Sequence, residues 1–522
     1  MGVRMRHEWF VCMVLAALWF GATAWLRPLA IPDEGRYVGV AWEMLRSGDW
    51  TVPTLNGLPF FHKPPLFYWI TAASMQLLGP GVASARAASW LAAVVSATGL
   101  FAFVRCWIGA RQAWTSLVVL ATLPLFYGGA QYANLDMLVA GCIASTILLF
   151  AHATLSRERG AAYRRALALA FVAAACGVLS KGLIGVVLPA LVLLAWGVVT
   201  RRAGRLLTLF FWAPGWVLFV AVGAPWFIVM QGRFPDFAHY FFIVQQFQRF
   251  TSSGFNNPQP LWFYPAVLLV LALPWSPWLL GWMRHRDPNR SAPDGSLADL
   301  RSLMLTWLVV IVFFFSLPSS KLIGYILPAV VPMAFLIADA AGSMRGRWRR
   351  PTAALAAAIC VAAAIAAHYR QPKSLRALAE QLQALRRPSE PVVFLRNYYY
   401  DVAFYARLNA RVLVVDPWRP EEVAKDSWRR ELVDAQRFAP ADSPRRLLRP
   451  DEFQAMLCRS DGAWVIGSWP PSPDEGWLAA RVPVYRSAST ALWHIEPSGP
   501  ALHSARGCDA RPGTAALSMP AR

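Results

Sequence analysis

The sequence predicts an α-helical membrane domain, residues 1–370, followed by a small α/β domain, residues 371–522. Only 15% of the 522 residues are charged and 57% are hydrophobic, whereas soluble domains usually contain about 25% charged residues. Long apolar segments recur through the first region, and most approach the roughly 20 residues that a helix needs to cross a bilayer. In the second region the apolar runs are short and rich in β-branched residues, which is typical of strands.

About eleven apolar segments are predicted to cross the membrane. They are Trp9–Leu26, Val82–Val104, Ala113–Tyr127, Leu135–Leu155, Ala166–Leu179, Leu183–Val199, Leu206–Met230, Leu261–Trp282, Ser302–Leu317, Leu322–Ala340 and Ala353–Ala367. The first contains Ala22-Thr23-Ala24, a pattern that a signal-peptide cleavage site also shows. Because many spans follow, we expect an uncleaved anchor.

Clusters of arginine predict the orientation of these spans. The clusters follow alternate spans, and the positive-inside rule assigns such loops to the cytoplasm. They are Arg105 and Arg111; Arg157, Arg159, Arg164 and Arg165; Arg201, Arg202 and Arg205; Arg284, Arg286 and Arg290; and Arg345, Arg347, Arg349 and Arg350. The N-terminus is therefore expected inside and the C-terminal domain outside. Because the arginines cluster at the ends of apolar spans, the net charge of +21 does not indicate a nucleic-acid partner.

The first outer loop, residues 28–81, is predicted to lie along the membrane surface. Its segment Leu66–Leu78 is apolar but short, and a crossing there would invert every later loop and turn the arginine clusters outward. We therefore predict a re-entrant or interfacial helix. Glu34–Leu45 is expected to form a short amphipathic helix beside it.

The C-terminal domain is predicted from alternating strand and helix patterns. The expected strands are Pro391–Leu395, Arg411–Val415, Ala463–Gly467 and Ala491–Ile495, and the expected helices are Gln371–Arg387 and Asn397–Ala406. The tail after Pro497 is expected to be disordered. Cys458 and Cys508 would lie in an oxidising compartment, where a disulfide and two free thiols are both open alternatives.

Charged residues are concentrated in the first outer loop, which indicates chemistry on a charged substrate. Outward-facing cations run against the positive-inside bias and are candidates for binding a lipid phosphate. The alternative is that they reach to the lipid headgroups as anchors. The phosphate-binding candidates are Arg36, Lys63, Lys181, Arg249 and Lys321, whereas Arg27 and Arg86 are interpreted as interfacial anchors.

Two positions are candidates for an acidic catalytic group. Asp33 is predicted to face the substrate. The adjacent Glu34 either binds substrate or stabilises the following helix by placing a negative charge near its positive N-terminus. Asp136, at the outer start of a span, is either a second acidic group of the site or a capping charge. Lys321 and Tyr325 have i, i+4 spacing, which predicts one shared helix face at the outer boundary.

Other kinds of site find no support in the sequence. There is no GxGxxG or GxxxxGK[ST] pattern, so no nucleotide site is predicted. His62 and His239 are isolated histidines in outward loops and do not make a metal site. We expect neither a metal nor another cofactor.

Seven motifs together resemble the lipid-linked-sugar glycosyltransferases of the GT-C fold, in particular the lipid A aminoarabinose transferase family, which is related to the protein O-mannosyltransferases. They are PDEGRY at 32–37, EMLRSGDWTVPTLNG at 43–57, HKPPLFYW at 62–69, NLDM at 134–137, LSKGLIGVVLP at 179–189, QRF at 248–250 and SSKLIGYILP at 319–328. They cover nearly the whole membrane region in order. The C-terminal domain matches only in position and kind.

The resemblance implies a GT-C membrane domain with about 11–13 transmembrane helices and a donor that is a sugar linked to a lipid phosphate. By motif match, Asp33 takes the acidic catalytic position, and Arg36 and Tyr37 lie in the same motif. Lys63, Arg249 and Tyr325 take positions that hold the donor phosphate, with Lys181 nearby.

Two departures from the family pattern bear on metal binding. The family usually has Glu before Lys-Pro-Pro and His three residues before the Arg of the Arg-Phe pair. This chain has His62 and Gln246 there. Those positions are associated with a bound metal in the family, so the substitutions count against a metal in this chain. They also leave open the alternative that this chain transfers a different sugar.

The expected function is transfer of an amino sugar, such as 4-amino-4-deoxy-L-arabinose, from undecaprenyl phosphate to a lipid A phosphate at the periplasmic face of a bacterial inner membrane. One alternative is transfer of another lipid-linked sugar to a protein or glycan. A lipid or sugar transporter or flippase is the alternative from a different class. A transporter would favour charges at the bilayer midplane within broken helices, whereas these candidates lie at one face.

Overall fold

The computed structural model describes residues 3–248, 257–279, 295–343, 348–370, 373–409, 411–439, 445–457 and 462–496. The chain forms two compact units. The first comprises Met1–Leu55 and Pro59–Ser374, and the second comprises Asn56–Leu58 and Leu375–Arg522. The predictions about Arg249, the pair Cys458 and Cys508, and the tail after Pro497 fall outside the described residues.

The first unit is built from helices. The α-helices are α1 Val3–Gly21, α2 Asp33–Ser47, α3 Leu66–Leu78, α4 Val82–Ala85, α5 Ala87–Trp107, α6 Ala110–Ala121, α7 Pro124–Ala130, α8 Leu135–Glu158, α9 Arg164–Lys181, α10 Ile184–Val199, α11 Ala203–Phe210, α12 Ala213–Arg233, α13 Phe263–Leu271, α14 Ser296–Ser316, α15 Val330–Ser343 and α16 Arg349–Tyr369. A π-helix, His239–Gln248, follows α12, and a 3₁₀-helix, Ile323–Ala329, leads directly into α15.

The chain is a multi-pass membrane protein. Within the described residues, six helical segments are long and apolar enough to cross a membrane, namely α5, α8, α12, α14, Ile323–Ala341 and α16. The bent pair α6 and α7, which meet at 70°, would make a seventh span. The other predicted spans correspond to α1 and α9, to the shorter apolar helix α10, and to α13, which covers only part of Leu261–Trp282. The prediction of a helical membrane domain is confirmed.

Residues 28–81 form the two helices that the sequence predicted there, α2 and α3. α3 has the bounds expected from its apolar run, and its 13 residues extend about 20 Å, too short for the roughly 30 Å hydrocarbon core. α2 is capped at its end by Gly48, whose φ of 71° is a left-handed conformation that glycine adopts readily. The two helices pack together, and the Tyr37 and Phe67 ring centroids are 6.0 Å apart.

Charged groups mark the two opposite ends of the helix bundle. α8 has 24 residues, so its ends are about 36 Å apart. At its carboxyl end, Glu158 and Asp299 both pair with Arg202, at 3.1 and 2.7 Å. Asp136 lies in its first turn. The arginine-rich end and the end with the acidic candidates are therefore on opposite sides of the bundle.

Small residues allow α9 and α10 to meet closely at the end that carries Lys181. A Cβ atom on Gly185 would lie 2.1 Å from the carbonyl carbon of Gly177, so the two backbones are in direct contact. Small residues at helix crossings permit such close approach in membrane proteins. The crossing holds the short turn after Lys181 in place.

The second unit contains a six-stranded mixed sheet. After the hairpin strands β1 Thr54–Leu55 and β2 Leu58–Pro59, its strands are β3 Val392–Leu395, β4 Leu413–Val415, β5 Leu447–Leu448, β6 Ala463–Ser468, β7 Tyr485–Arg486 and β8 Thr490–Ile495. The order is β5-β4-β3-β6-β8-β7, parallel from β5 to β6 and antiparallel from β6 to β7. Its helices are α17 Arg376–Leu385, α18 Val402–Tyr405, α19 Pro420–Val423, α20 Trp428–Gln436, α21 Pro450–Leu457 and α22 Gly476–Ala479, with a 3₁₀-helix at Pro473–Glu475. The α/β prediction is confirmed, but it missed the two-residue strands, the helices α19 to α22 and the 3₁₀-helix.

The tip of the β1–β2 hairpin belongs to this second unit. The Asn56 side chain donates to the carbonyl of Val412 at 2.9 Å and accepts from the Val412 amide at 3.0 Å. Arg446 donates to the Asn56 carbonyl at 3.1 Å. Asn56 and Gly57 have φ values of 55° and 64°, as the Asn-Gly loop of a tight hairpin requires. These bonds explain why three early residues group with the C-terminal sheet.

Candidate functional site

The beginning of α2 carries Asp33, Arg36 and Tyr37. The Arg36 guanidinium lies 3.5 Å from the Asp33 carboxylate, and the Asp33 side chain is 38% exposed. Asp33 is therefore accessible while its charge is partly balanced. Burial raises the pKa of the Tyr37 hydroxyl, Arg36 opposes that rise, and the charges of Asp33 and Asp136 add to it. Tyr37 is thus a neutral hydrogen-bond donor at physiological pH.

Asp136, Lys181 and Tyr325 meet at the same end of the bundle. Asn134 caps α8 by accepting a hydrogen bond from the Asp136 amide at 3.0 Å. The Asp136 carboxylate forms an ion pair with the Lys181 ammonium, at the end of α9. That ammonium lies 4.2 Å from the ring centroid of Tyr325, within cation–π range. Three candidates from separate segments therefore make one cluster.

Gly324 is the reason that the 3₁₀-helix can approach this cluster. A Cβ atom at position 324 would lie 2.3 Å from the Asp136 carboxylate oxygen Oδ2. Real Cβ atoms do not approach so closely, so a side chain here would displace the carboxylate or the helix. The glycine of the SSKLIGYILP motif therefore fits the close packing of Tyr325 and Asp136.

The two groups of residues are electrostatic neighbours. Asp33, Asp136 and Tyr325 all act on the titration of Tyr37. The structure thus brings six of the predicted site residues together from α2, α8, α9 and the 3₁₀-helix. They are Asp33, Arg36, Tyr37, Asp136, Lys181 and Tyr325.

The prediction that Glu34 binds substrate is wrong. Its side chain is completely buried, and its carboxylate accepts from Arg86 at 2.8 Å and also pairs with Arg27. Arg86 is not a lipid anchor, since it has no exposed surface. Arg27 is 16% exposed, but its guanidinium turns inward to Glu34 and the Gln131 carbonyl and not to lipid headgroups. Burial alone would raise the pKa of Glu34, but Arg86 and Arg27 overcome it and hold the pKa at about 2.

Lys321 also has a different role from the one predicted. Its ammonium group is buried and donates to the carbonyls of Gln259 and Pro318 at 2.7 and 2.6 Å. The 3₁₀-helix begins only at Ile323, so Lys321 and Tyr325 do not share a helix face. Lys321 joins two segments of backbone, which corrects the prediction that it binds substrate.

The remaining candidates are placed only in part. Lys63 directly precedes Pro64 and Pro65, and α3 begins at Leu66. The neighbouring His62 ring is buried and stacks on Phe60, with centroids 4.5 Å apart. Arg249 lies outside the described residues. Among the described residues, no group of three His, Cys, Asp or Glu side chains has the arrangement of a metal site.

Sequence reasoning missed two tyrosines beside the site. Burial raises the pKa of the Tyr132 hydroxyl, and the charges of Asp33 and Glu34 add to that rise. The Tyr264 hydroxyl donates to the Leu322 carbonyl at 3.0 Å, which steadies the chain just before the 3₁₀-helix. Tyr132 lies two residues before the NLDM motif, a position that could have drawn attention to it.

Comparison with known proteins agrees with this architecture. Residues 62–229 match the model of the dolichyl-phosphate-mannose-protein mannosyltransferase family. The crystal structure of ArnT from Cupriavidus metallidurans bound to undecaprenyl phosphate superposes with a TM-score of 0.76 at 23% identity, covering 93% of this chain and 98% of that one. This protein has the GT-C fold. The structure of the same ArnT in the apo state gives a TM-score of 0.74 at 22% identity, covering 94% and 98%.

Sequence relatives point to the family that the motifs of this GT-C protein resemble. An undecaprenyl phosphate-alpha-4-amino-4-deoxy-L-arabinose arabinosyl transferase of Aeromonas salmonicida is 34% identical over 323 residues, covering 60% of this chain and 56% of the relative. The protein of the same name from Pectobacterium carotovorum is 35% identical over 335 residues, covering 63% and 58%. The match thus spans less than two thirds of these relatives' length. The predicted resemblance is confirmed.

Proposed function

We propose that this protein is a membrane glycosyltransferase that transfers 4-amino-4-deoxy-L-arabinose from undecaprenyl phosphate to a phosphate of lipid A. The observation that carries the proposal is the convergence of Asp33, Asp136, Lys181 and Tyr325 at one end of the bundle. Such a cluster combines an accessible acid with a cation that lies over a tyrosine ring. These are the groups that transfer from an anionic lipid donor requires.

The donor is proposed from the relatives and from the charges of the site. Relatives are named for undecaprenyl phosphate and aminoarabinose, and a structure of the same fold contains undecaprenyl phosphate. As the glycosidic bond breaks, negative charge develops on the departing phosphate. Preorganised cations stabilise such charge, and this is usually the largest catalytic contribution. Lys63, Lys181, Arg36 and Arg249 are the proposed cations.

The two acids have different proposed roles. Asp33 is partly exposed and accepts a proton from the acceptor or orients the acceptor or sugar. Because a lipid A phosphate is already ionised, a strong base is not needed. Asp136 is the second acidic group of the catalytic site, and its ion pair with Lys181 aims the ammonium at the donor phosphate.

The proposed location of the site is the periplasmic face of a bacterial inner membrane. The cluster lies at the start of α8, and the arginine-rich Glu158–Arg202 end lies about 36 Å away. The positive-inside rule favours a cytoplasmic location for the arginine-rich end. A reporter that is active only in the periplasm, fused after Arg387, is expected to be active, and a cytoplasmic signal there would contradict this orientation.

A second candidate acceptor is a protein hydroxyl. The match of residues 62–229 to a protein mannosyltransferase family favours it. A transporter is less well supported, because the charged cluster lies at one end of the bundle rather than at its middle.

Mass spectrometry of lipid A from a deletion strain tests the proposed acceptor. The deletion should remove the amino sugar from lipid A, and the parent gene should restore it while the Asp33→Asn gene does not. Purified protein in lipid should then transfer the sugar from undecaprenyl phosphate to lipid A. Unchanged lipid A together with lost glycosylation of a protein or glycan would support the second candidate.

A further inference from the structure

One buried carboxylate links the two segments that carry the acidic groups of the site. Glu34 Oε1 accepts from the Ala133 amide at 2.7 Å, and Oε2 accepts from the Ala30 amide at 2.7 Å. Ala30 precedes α2 by a few residues, and Ala133 precedes α8. The carboxylate is therefore a direct bridge between the loop that leads to Asp33 and the loop that leads to Asp136.

Arg86 completes this bridge from the start of α5. Its guanidinium donates to Glu34 Oε1 at 2.8 Å and to Oε2 at 3.0 Å. It also donates to the carbonyls of Ala24, Arg27 and Pro28 at 2.6, 3.0 and 3.0 Å. One arginine thus fixes both Glu34 and the chain that enters α2.

Arg27 adds a second connection to the loop before α8. Its guanidinium pairs with Glu34 and donates to the Gln131 carbonyl at 2.8 Å. The same guanidinium lies 5.5 Å from the Tyr132 ring centroid. Glu34, Arg86 and Arg27 together form what we call the registry clamp.

We propose that the registry clamp is a positioning device in which Glu34 sets the placement of Asp33 relative to Asp136. The inference rests on the proposed function, because it assumes that both acids serve sugar transfer. Glu34 acts through Asp33, its neighbour in the chain, and through Asp136, three residues after Ala133. It touches no substrate, since its side chain is completely buried.

The energetics of buried ion pairs favour positioning over stabilisation. Moving two charges out of water costs desolvation free energy, and the attraction between the charges often does no more than offset that cost. A buried ion pair is therefore weak evidence for stability. Its best-attested use is to select one arrangement among several. Displacement of a reacting group by about 1 Å can lower a rate about a hundredfold. A clamp that fixes two acids can therefore matter more for rate than for folding.

Glu34→Gln tests the clamp while preserving its shape. The new amide nitrogen is a donor, and it would face one of the two backbone N–H groups that now donate to Glu34. Two donors cannot bond to each other, so one of the two loop contacts is lost. We expect kcat for sugar transfer to fall about 10- to 100-fold. The KM for the donor and the binding of undecaprenyl phosphate should change by less than about threefold, since the proposed phosphate cations are untouched.

A matched control separates this effect from general destabilisation. Asp339 is a buried acid paired with Arg301 at 2.7 Å, and Arg301 lies on α14 five residues after Ser296, at the arginine-rich end. Asp339→Asn should lower thermal stability about as much as Glu34→Gln does but leave kcat unchanged. Arg27→Met is a milder variant that keeps the Glu34–Arg86 pair. It should fold and show a severalfold lower kcat, and it carries the test if Glu34→Gln does not fold.

The outcomes distinguish this inference from the proposed function. A parent protein that binds undecaprenyl phosphate but transfers no sugar would overturn the proposed function. If the parent transfers sugar, and the Glu34→Gln and Arg27→Met variants fold and have the same kcat as the parent, only the proposal about the clamp is overturned. An equal loss of kcat in Asp339→Asn would also overturn it, because the effect would then follow stability and not position.

Discussion

The Lys181 ammonium pairs with the Asp136 carboxylate and so joins the end of α9 to the beginning of α8. The two side chains are only 13% and 10% exposed, and a pair this sheltered from water is screened little by salt. The ion pair holds a cation in place at the site while its charge is balanced. In the proposed function, the donor phosphate shares this ammonium with Asp136.

Replacing Lys181 with methionine should weaken donor binding. The substitution keeps most of the side-chain volume but removes the cation and leaves Asp136 without this partner. A charge-assisted hydrogen bond contributes about 1.5–3 kcal/mol, so we expect affinity for undecaprenyl phosphate to fall about 10- to 100-fold. Binding to purified protein in lipid measures it. Arg205→Met is the control, since Arg205 is exposed at the opposite end, and equal affinities in all three proteins would contradict the role of Lys181.

Gly324→Ala should impair transfer by steric displacement. The new methyl group would meet Asp136 Oδ2, so the carboxylate or the 3₁₀-helix must move, and we expect at least about a tenfold loss of rate. Gly128→Ala is the matched control, because a Cβ atom there meets nothing within 4 Å. Transfer rates and melting temperatures of both variants check this. Parent-like transfer by Gly324→Ala would show that Asp136 tolerates displacement.

Asp33→Asn should separate transfer from donor binding. The amide keeps the shape of the side chain but removes its charge, so undecaprenyl phosphate should bind as before. Transfer should fall by about a hundredfold or more, the scale of a positioned acid–base group. Lys63→Met should instead weaken donor binding, with the affinity for undecaprenyl phosphate reduced about 10- to 100-fold. Normal transfer by the Asp33→Asn protein would remove Asp33 from the catalytic site.

Acid should weaken the folded state through Glu34. Its pKa is about 2 in the folded protein against 4.5 ordinarily, so folding favours the ionised carboxylate, and the stabilisation that ionisation gives is complete above about pH 4.5. This contribution, on the order of a few kcal/mol, should be lost as the pH falls from 4.5 towards 2. Melting temperatures of the parent should therefore drop over this range more steeply than those of Glu34→Gln. Parallel pH profiles would contradict the ionised state of the buried carboxylate.

Sugar transfer should not require zinc. His62 and Gln246 occupy the positions where the resembled family usually has Glu and His, so the ligand set associated with a metal is incomplete. Treatment of the purified protein with a chelator should leave the transfer rate unchanged. The double variant His62→Glu with Gln246→His should bind zinc more tightly than the parent, as measured by metal analysis. Loss of parent activity on chelation that zinc alone restores would refute the prediction.

Local patterns in the sequence predicted most elements of the fold and most of the candidate site residues. α3 spans the predicted Leu66–Leu78, and β3 and β8 fall on predicted apolar runs. These elements were predictable because the hydrophobic pattern that specifies a helix or a strand is contained within a few neighbouring residues. The motifs also predicted Asp33, Asp136 and Tyr325 as candidate site residues without any knowledge of their contacts.

Only the tertiary structure decided what adjacent or similar charged residues do. Asp33 and Glu34 are neighbours with the same chemistry, yet Arg86, 52 residues away, draws Glu34 into the interior. Lys321 turns to backbone carbonyls, and Asn56 pairs with Val412 across 356 residues. The role of a charge or amide depends on which partners replace its water, and folding alone brings those partners from distant parts of the chain.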